Sequence, residues 1–464
     1  MAAAGKPLTV LVLAAGQGKR LRSKTIKLLH AVAGRPMIAH VLDVARSLRP
    51  RRVITVVGHQ AEQLRSALGE QGGEFVLQRE QRGTGHAVLL AAPQIGRAPG
   101  RLMILSGDVP TLQPATLRRL LAAHRRTGAA LTLLTARVAD PSGYGRIVRD
   151  AAGRVVRIVE DRDASAEERR IDEINCGLYV AEPQRLLAAL RRVRPDNAQG
   201  EYYLTDAVRR LIDSGEHVAA VVHADPHELL GVNTRDELAR ASRLLYARKA
   251  RELQQRGVTL LDPARVWIDP RARIGRDSVL YPDVIVEGAS RLGEDCVIYP
   301  GCRIVDSTLG RGAVLRDHSV ITQSTIGQGA QIGPFAHLRP GSVLEAGTKV
   351  GNFVELKQTR LGRGSKANHL TYLGDAEIGP GCNVGAGTIT CNYDGARKHP
   401  TLLGRGVFVG SGTQLVAPVR VADGAYVAAG TTLTQDVPAG ALAIARSPQA
   451  NVLGWVARRR KRSR

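Results

Sequence analysis

"IGQGAQIGPFAHLRPGSVLEAGTKV", from Ile326 to Val350, sets an aliphatic residue at positions 326, 332, 338, 344 and 350. A glycine or an acidic residue often follows it, a small residue sits four places later, and turn residues fill the gaps. The period runs upstream through Ile274, Leu280, Val286, Leu292, Ile298 and Ile304, and restarts at Leu309, Leu315 and Ile321. A six-residue aliphatic period sustained over such a length is the signature of a hexapeptide parallel β-helix. Three hexapeptides make one triangular coil, with the aliphatic side chains pointing into a narrow core. Residues 257–464 are assigned to this domain, which ends in a basic tail.

Before about residue 230 the pattern differs. The runs "LTVLVLAAG", "RRVITVVGH", "RLMILSGDVP" and "ALTLLTARV" alternate with helical segments, which predicts βαβ units around a mostly parallel sheet over residues 1–232. Thr234 and Glu237 then form a capping-box pattern, with Leu238, Ala241 and Leu245 at helical spacing. Residues 233–256 read as a long helix joining the two domains.

The 464 residues suffice for two or three domains with a sizeable core. Fifty glycines and 3% aromatics suit tightly turning β structure. The net charge of +24 reflects arginine spread over solvated faces. No basic stretch is interleaved with stacking aromatics, so no specific nucleic-acid partner is expected. The tail "ARRRKRSR", Ala457 to Arg464, reads as a disordered end. The five cysteines form no CxxC pair, which argues for reduced thiols in a cytoplasm. The apolar run Leu8 to Ala15 is too short for a membrane span and reads as a strand; no membrane insertion is expected.

That run opens "LVLAAGQGKRLRSKTIKLLH", Leu11 to His30. Gly16 and Gly18 give G-x-G, but Leu21 replaces the third glycine of a dinucleotide fingerprint, and the spacing of a lysine-containing P-loop is absent. Either a plain β–α turn remains, or a loop whose backbone N–H groups approach phosphates at a helix N-terminus, with Arg20 and Lys27 to neutralise charge. Asp108, after a strand, is on its own a candidate helix cap.

The loop, followed by Lys27, resembles the signature of sugar-phosphate nucleotidyltransferases. Its companions "LQREQRGTGHAV", "GDVPTL", "GYGRIV", "IVEDRDA", "EINCGLY", "NAQGEYYLTD" and "GVNTRDEL" follow in order. With the hexapeptide half, the whole chain resembles the bifunctional N-acetylglucosamine-1-phosphate uridyltransferase/glucosamine-1-phosphate acetyltransferase family. The resemblance implies an α/β, Rossmann-like nucleotidyltransferase domain followed by a left-handed parallel β-helix. It implies that Leu13, Ala14, Ala15, Gly16, Gln78, Gly83 and Thr84 hold uracil and ribose, while Arg20 and Lys27 bind the phosphates of UTP. Asp108 and Asn233 would coordinate Mg2+, and Gly145, Glu160 and Asn175 would contact the sugar.

In the second half, "FVELKQTRLGRGSKANHLTYLGDAEIG" interrupts the aliphatic ladder with polar residues. By the same resemblance His369 is the general base, and Arg339 and Lys357 bind the sugar phosphate. Tyr372 and Asn383 hold the sugar, while Ala386, Asn392, Tyr393, Ser411, Ala429 and Arg446 meet acetyl-CoA. The six-residue count breaks between Thr390 and Gly406, as expected of a bulging loop that in the family reaches a neighbouring subunit; family members form homotrimers through the β-helix. Two positions depart from the family pattern: Lys19 stands in place of threonine and Ile26 in place of proline, which frees the backbone ahead of Lys27. The product, a sugar nucleotide, would feed bacterial cell-wall synthesis in the cytoplasm. The rival readings are a nucleotidyltransferase for another sugar with a purely structural β-helix, a silent binding or assembly subunit, and a nucleic-acid binder exploiting the positive charge.

Overall fold

A computed structural model describes residues 6–16, 18–58, 60–96 and 100–462. The chain divides into two compact units, Met1–Leu245 and Tyr246–Arg464.

In the first unit, strands β1 (Leu8–Ala14), β2 (Arg52–Val57), β3 (Glu74–Leu77) and β4 (Arg101–Ser106) run parallel. Their near-continuous apolar runs are dictated by burial on both faces. Val10 and Val12 join one core layer with helix α1 (Met37–Ser47). Leu11, between them, joins the opposite layer with helix α2 (Thr84–Leu90). Strand β5 (Leu131–Arg137) is followed by the hairpin of β6 (Arg146–Arg149) and β7 (Val155–Val159). Strands β8 (Glu173–Ala181) and β9 (Val218–His223) complete a sheet whose main path is β9-β5-β8-β4-β1-β2-β3.

Along that path the sheet is parallel except at β8, which inserts antiparallel between β4 and β5 and also pairs with β6 of the antiparallel hairpin. Its register with β5 shifts between Asn175 and Leu178, where Gly177 takes φ +69°. That bulge bends the strand and re-aims its side chains. Helix α3 (Arg235–Gln255) carries the expected cap: Thr234 Oγ1 accepts from Glu237 N at 3.2 Å, and Glu237 Oε2 accepts from Thr234 N at 2.8 Å.

The second unit is a left-handed parallel β-helix, with three parallel ladders of 11, 10 and 9 short strands among the described residues. Ile326, Ile332, Leu338, Leu344 and Val350 are all buried, as are the other aliphatic residues of the ladder. The restarts in the period are corners shortened by one residue, as from Ile304 to Leu309 and from Ile321 to Ile326. At these corners Asp306 and Gln323 adopt φ +43° and +42°. Asp306 offsets the unfavourable left-handed backbone by accepting from Ala289 N at 2.9 Å. Buried small residues close the corners between coils: Ser290 Oγ accepts from Ser307 N, and Ser307 Oγ from Ser324 N, at 3.2 and 3.1 Å.

Two expectations are corrected. The break in the six-residue count is narrower than Thr390 to Gly406, because strands Ile389–Cys391 and Thr401–Leu403 hold the ladder on either side. As far as residue 462 the tail is not a disordered end: Trp455–Arg462 is a helix, favoured by its arginines and alanine and by Arg459 lying over the Trp455 ring at 5.0 Å.

Candidate functional site

The C-terminal end of β1 opens on a cavity of about 390 Å³ in the first unit. Leu13, Ala14, Ala15, Gly16, Lys27, Gln78, Gly83, Thr84 and Asp108 all line it. An open α/β sheet places its ligands at this end of the strands. Gln78 is buried and donates from Nε2 to Gly83 O at 3.0 Å. Gly83 takes φ +102°, and a Cβ there would lie 2.6 Å from Tyr202 O, so only glycine fits. Thr84 Oγ1 accepts from Leu204 N at 3.0 Å. Gln81 and Glu201 also line the cavity but were not singled out from the sequence; both lie inside the motifs quoted above. Gln81 donates to Ala15 O at 2.8 Å and fixes the loop.

Arg20 is exposed on a short 3-10 turn and does not line this cavity. The Lys19 side chain lies outside the described residues. Ile26 takes φ −53°, a value proline itself would fix, and packs against the core, so the backbone ahead of Lys27 is held without the ring.

At the cavity floor, Lys27 Nζ donates to Asp108 Oδ2 at 2.6 Å and to Asn233 Oδ1 at 2.7 Å. Asp108 caps no helix, because the next one begins at Pro114 after Gln113. A carboxylate and an amide oxygen thus converge on one cation, which is the hard oxygen donor set that magnesium takes. The two oxygens are held by their loops. Asn233 N donates to Glu237 Oε2 at 2.6 Å, Val232 N to Asp108 O at 2.9 Å, and a Cβ on Gly231 would press on the Asp108 carboxylate at 3.3 Å.

Gly145, Glu160 and Asn175 come together beside the cavity without lining it. Asn175 N donates to Gly145 O at 2.8 Å, and a Cβ on Gly145 would lie 3.4 Å from Glu160 Oε2. Thr205 Oγ1 donates to Glu160 Oε1 at 2.9 Å, next to the Leu204 that bonds Thr84. Burial pushes the Glu160 carboxyl above its usual range, and Asp206, Asp163 and Asp161 add to the shift. Burial, with the carboxylates of Glu237 and Asp108, pushes the Tyr144 hydroxyl up to about 12.

In the second unit His369 is exposed at the end of strand Lys366–His369, and its Nδ1 lies 2.7 Å from Asn352 Oδ1 on the preceding coil. The pairings Ala367 to Val384, Val384 to Val409 and Val409 to Val427 put Ala386, Ser411 and Ala429 in one column below His369. Arg446 closes that column by donating to Ala429 O at 2.9 Å. On the next ladder, Leu338 pairs with Leu356, so Arg339 and Lys357 are neighbours, and Arg339 is held by Glu355 at 2.8 Å. Lys398, from the bulging loop, lies against Lys357. That contact lowers its pKa and leaves positive charge that an anion would relieve. A Cβ on Gly374 would fall 2.4 Å from the Tyr372 hydroxyl and 2.7 Å from Asn392 Nδ2, so this glycine, paired with Lys357, leaves room for both. Asn392 Nδ2 donates to Asp375 Oδ2. Tyr393 is exposed and donates to Gly395 O at 2.6 Å. Asn383 is partly exposed, level with Lys366. Asn352 was not singled out from the sequence; it sits one coil before His369, where the coil repeat alone would point.

Fold and sites define a class: a nucleotidyltransferase domain joined to a hexapeptide-repeat transferase. The family model for nucleotidyl transferase matches residues 9–269, and that for the GMPPB C-terminal domain matches residues 263–360. A bifunctional protein GlmU of Trichlorobacter lovleyi is 49% identical over 97% of this chain and 98% of its own length. Those of Pelobacter propionicus and a Geobacillus species are 49% and 48% identical, over 98% and 97% of this chain and 99% and 97% of their own. The chain belongs to the bifunctional GlmU family. It is an enzyme that acetylates glucosamine-1-phosphate from acetyl-CoA and transfers uridylyl from UTP to N-acetylglucosamine-1-phosphate, making UDP-N-acetylglucosamine and pyrophosphate.

Proposed function

We propose that the two reactions are divided between the domains, residues 1–232 with Asn233 at the head of the joining helix carrying uridylyl transfer and residues 257–464 carrying acetyl transfer. The observation that carries this reading is that each unit has its own convergence of chemically apt side chains. In the first, Leu13 to Gly16, Gln78, Gly83 and Thr84 hold the uracil and ribose. Lys27 and Arg20 meet the phosphates, and Gly145, Glu160 and Asn175 orient the sugar. A phosphate oxygen of N-acetylglucosamine-1-phosphate attacks the α-phosphorus of UTP and pyrophosphate leaves. Both reactants are anionic, so positioning and charge neutralisation do most of the work. Mg2+ held by Asp108 and Asn233 would supply further neutralisation of the phosphates.

In the second unit, Arg339 and Lys357 grip the sugar phosphate while Tyr372 and Asn383 hold the ring. Nε2 of neutral His369 takes a proton from the glucosamine amine as it attacks the thioester. The column Ala386, Ser411 and Ala429, with Asn392, Tyr393 and Arg446, receives acetyl-CoA. A homotrimer is supported by the exposed column Phe335, Phe353 and Leu370, where the two rings stack at 5.5 Å on an open face. Among the described residues no helix is long and apolar enough to cross a membrane; a cytoplasmic location follows from the substrates.

The test is pyrophosphate release from UTP and Mg2+ with N-acetylglucosamine-1-phosphate, run beside glucose-1-phosphate. Release with the acetylated sugar alone is expected; equal release with both sugars refutes the specificity.

A further inference from the structure

We infer that Lys27 is the resident cation of the Asp108–Asn233 site, yielding those two oxygens to the metal and moving its ammonium onto the polyphosphate as the metal–nucleotide enters. This rests on the reading of Asp108 and Asn233 as metal ligands.

Lys27 Nζ holds both oxygens, at 2.6 and 2.7 Å, and its side chain is only 10% exposed. An ammonium and a divalent ion repel at such distances, so each weakens the other's hold on these two oxygens. The Asp108 carboxylate is about a quarter exposed, and Lys27 pairs with it before any ligand arrives.

The geometry also gives the ammonium somewhere to go. The lysine stem runs along Gly18, where a Cβ would lie 2.4, 3.1 and 3.2 Å from Lys27 Cβ, Cγ and Cδ. Gly18 opens in turn onto a second cavity, of about 610 Å³, that shares Gly16 and Gln81 with the nucleotide pocket. Arg22, Lys24 and Arg79 line it and, among the described residues, no carboxylate does, so it suits phosphate oxygens. A lysine anchored beside Gly18 can turn its tip from Asp108 towards that cavity while its backbone stays fixed. Metal alone must then displace an ion pair, whereas metal with nucleotide offers Lys27 a new anion. Metal and nucleotide bind each other's complexes more tightly as a result.

The experiment is Mn2+ binding to the full chain, followed by electron paramagnetic resonance, with and without a UTP analogue carrying a methylene between the α- and β-phosphates. Without nucleotide, Lys27→Met should bind Mn2+ on the order of tenfold more tightly than the native enzyme, the scale of one charge-assisted hydrogen bond lost to the competitor. The analogue should tighten Mn2+ binding in the native enzyme more than in Lys27→Met. Lys27→Ala serves if Lys27→Met does not fold. Mn2+ binding that is unchanged or weaker in the lysine variants overturns the inference. Asp108→Asn separates the two readings: if it keeps the native Mn2+ affinity, the metal-site assignment itself fails, and if it loses Mn2+ while the lysine variants behave as native, only the exchange fails.

Discussion

His369 Nδ1 and Asn352 Oδ1 lie 2.7 Å apart across one coil of the β-helix. An amide oxygen can only accept, so Nδ1 carries the proton and Nε2 presents its lone pair outward. The tautomer needed by a general base is therefore set by a residue one coil away. His369→Ala should lower acetyl transfer by about 10²–10⁴-fold. Asn352→Ala should lower it by about tenfold, the worth of a single hydrogen bond. Asn352→Asp should retain more activity, with the alkaline shift in its pH–rate profile that a carboxylate beside Nδ1 produces. Steady-state acetylation over a pH series checks all three.

Arg339 and Lys357 stand side by side, with Lys398 against the latter. Lys357→Ala should raise KM for glucosamine-1-phosphate by about tenfold or more while changing KM for acetyl-CoA little, since one charge-assisted contact to phosphate is lost. Rising salt should shrink the difference.

Glu160 gives a pH prediction whose sign follows from burial. Its folded pKa is raised above the unfolded value, so its contribution to stability is fully present below the unfolded pKa and is lost as pH rises through the folded one. Glu160→Gln should therefore flatten the loss of stability as pH rises above about 4, the unfolded carboxyl's range. Denaturant titrations across that window check it; an unchanged slope contradicts it.

The cap that starts α3 also holds Asn233, because Glu237 Oε2 accepts from both Asn233 N and Thr234 N. Thr234→Ala should cost about 1 kcal/mol of stability. Glu237→Ala should in addition weaken uridylyl transfer, because it frees the Asn233 backbone beside Asp108. In the β-helix, Leu356→Ala should cost about 2–5 kcal/mol, since the side chain is fully buried in a narrow core.

The ladder was legible in the sequence because each aliphatic position points inward and the coil repeats it. The capping box was legible for the same local reason. The antiparallel insertion of β8 was not, because "EINCGLY" fixes neither its neighbours nor its direction without the β6–β7 hairpin that precedes it. Asn352 was missed because its partner lies 17 residues later, a distance that means contact only once the coil is known. The grip of Lys27 on Asp108 and Asn233 spans 81 and 206 residues, beyond any local pattern. The resemblance named all three residues but not their mutual contact. The tail helix was hidden by a composition that reads as unfolded when its tryptophan is left out of account.

Two chemical sites on one chain should fail independently of each other. Acetyl transfer to glucosamine-1-phosphate and pyrophosphate release from UTP with N-acetylglucosamine-1-phosphate should be measured on the same preparations of His369→Ala and Asp108→Asn. His369→Ala should lose the first reaction and keep the second, and Asp108→Asn should do the reverse. A folded variant in which both reactions fall together would contradict this independence.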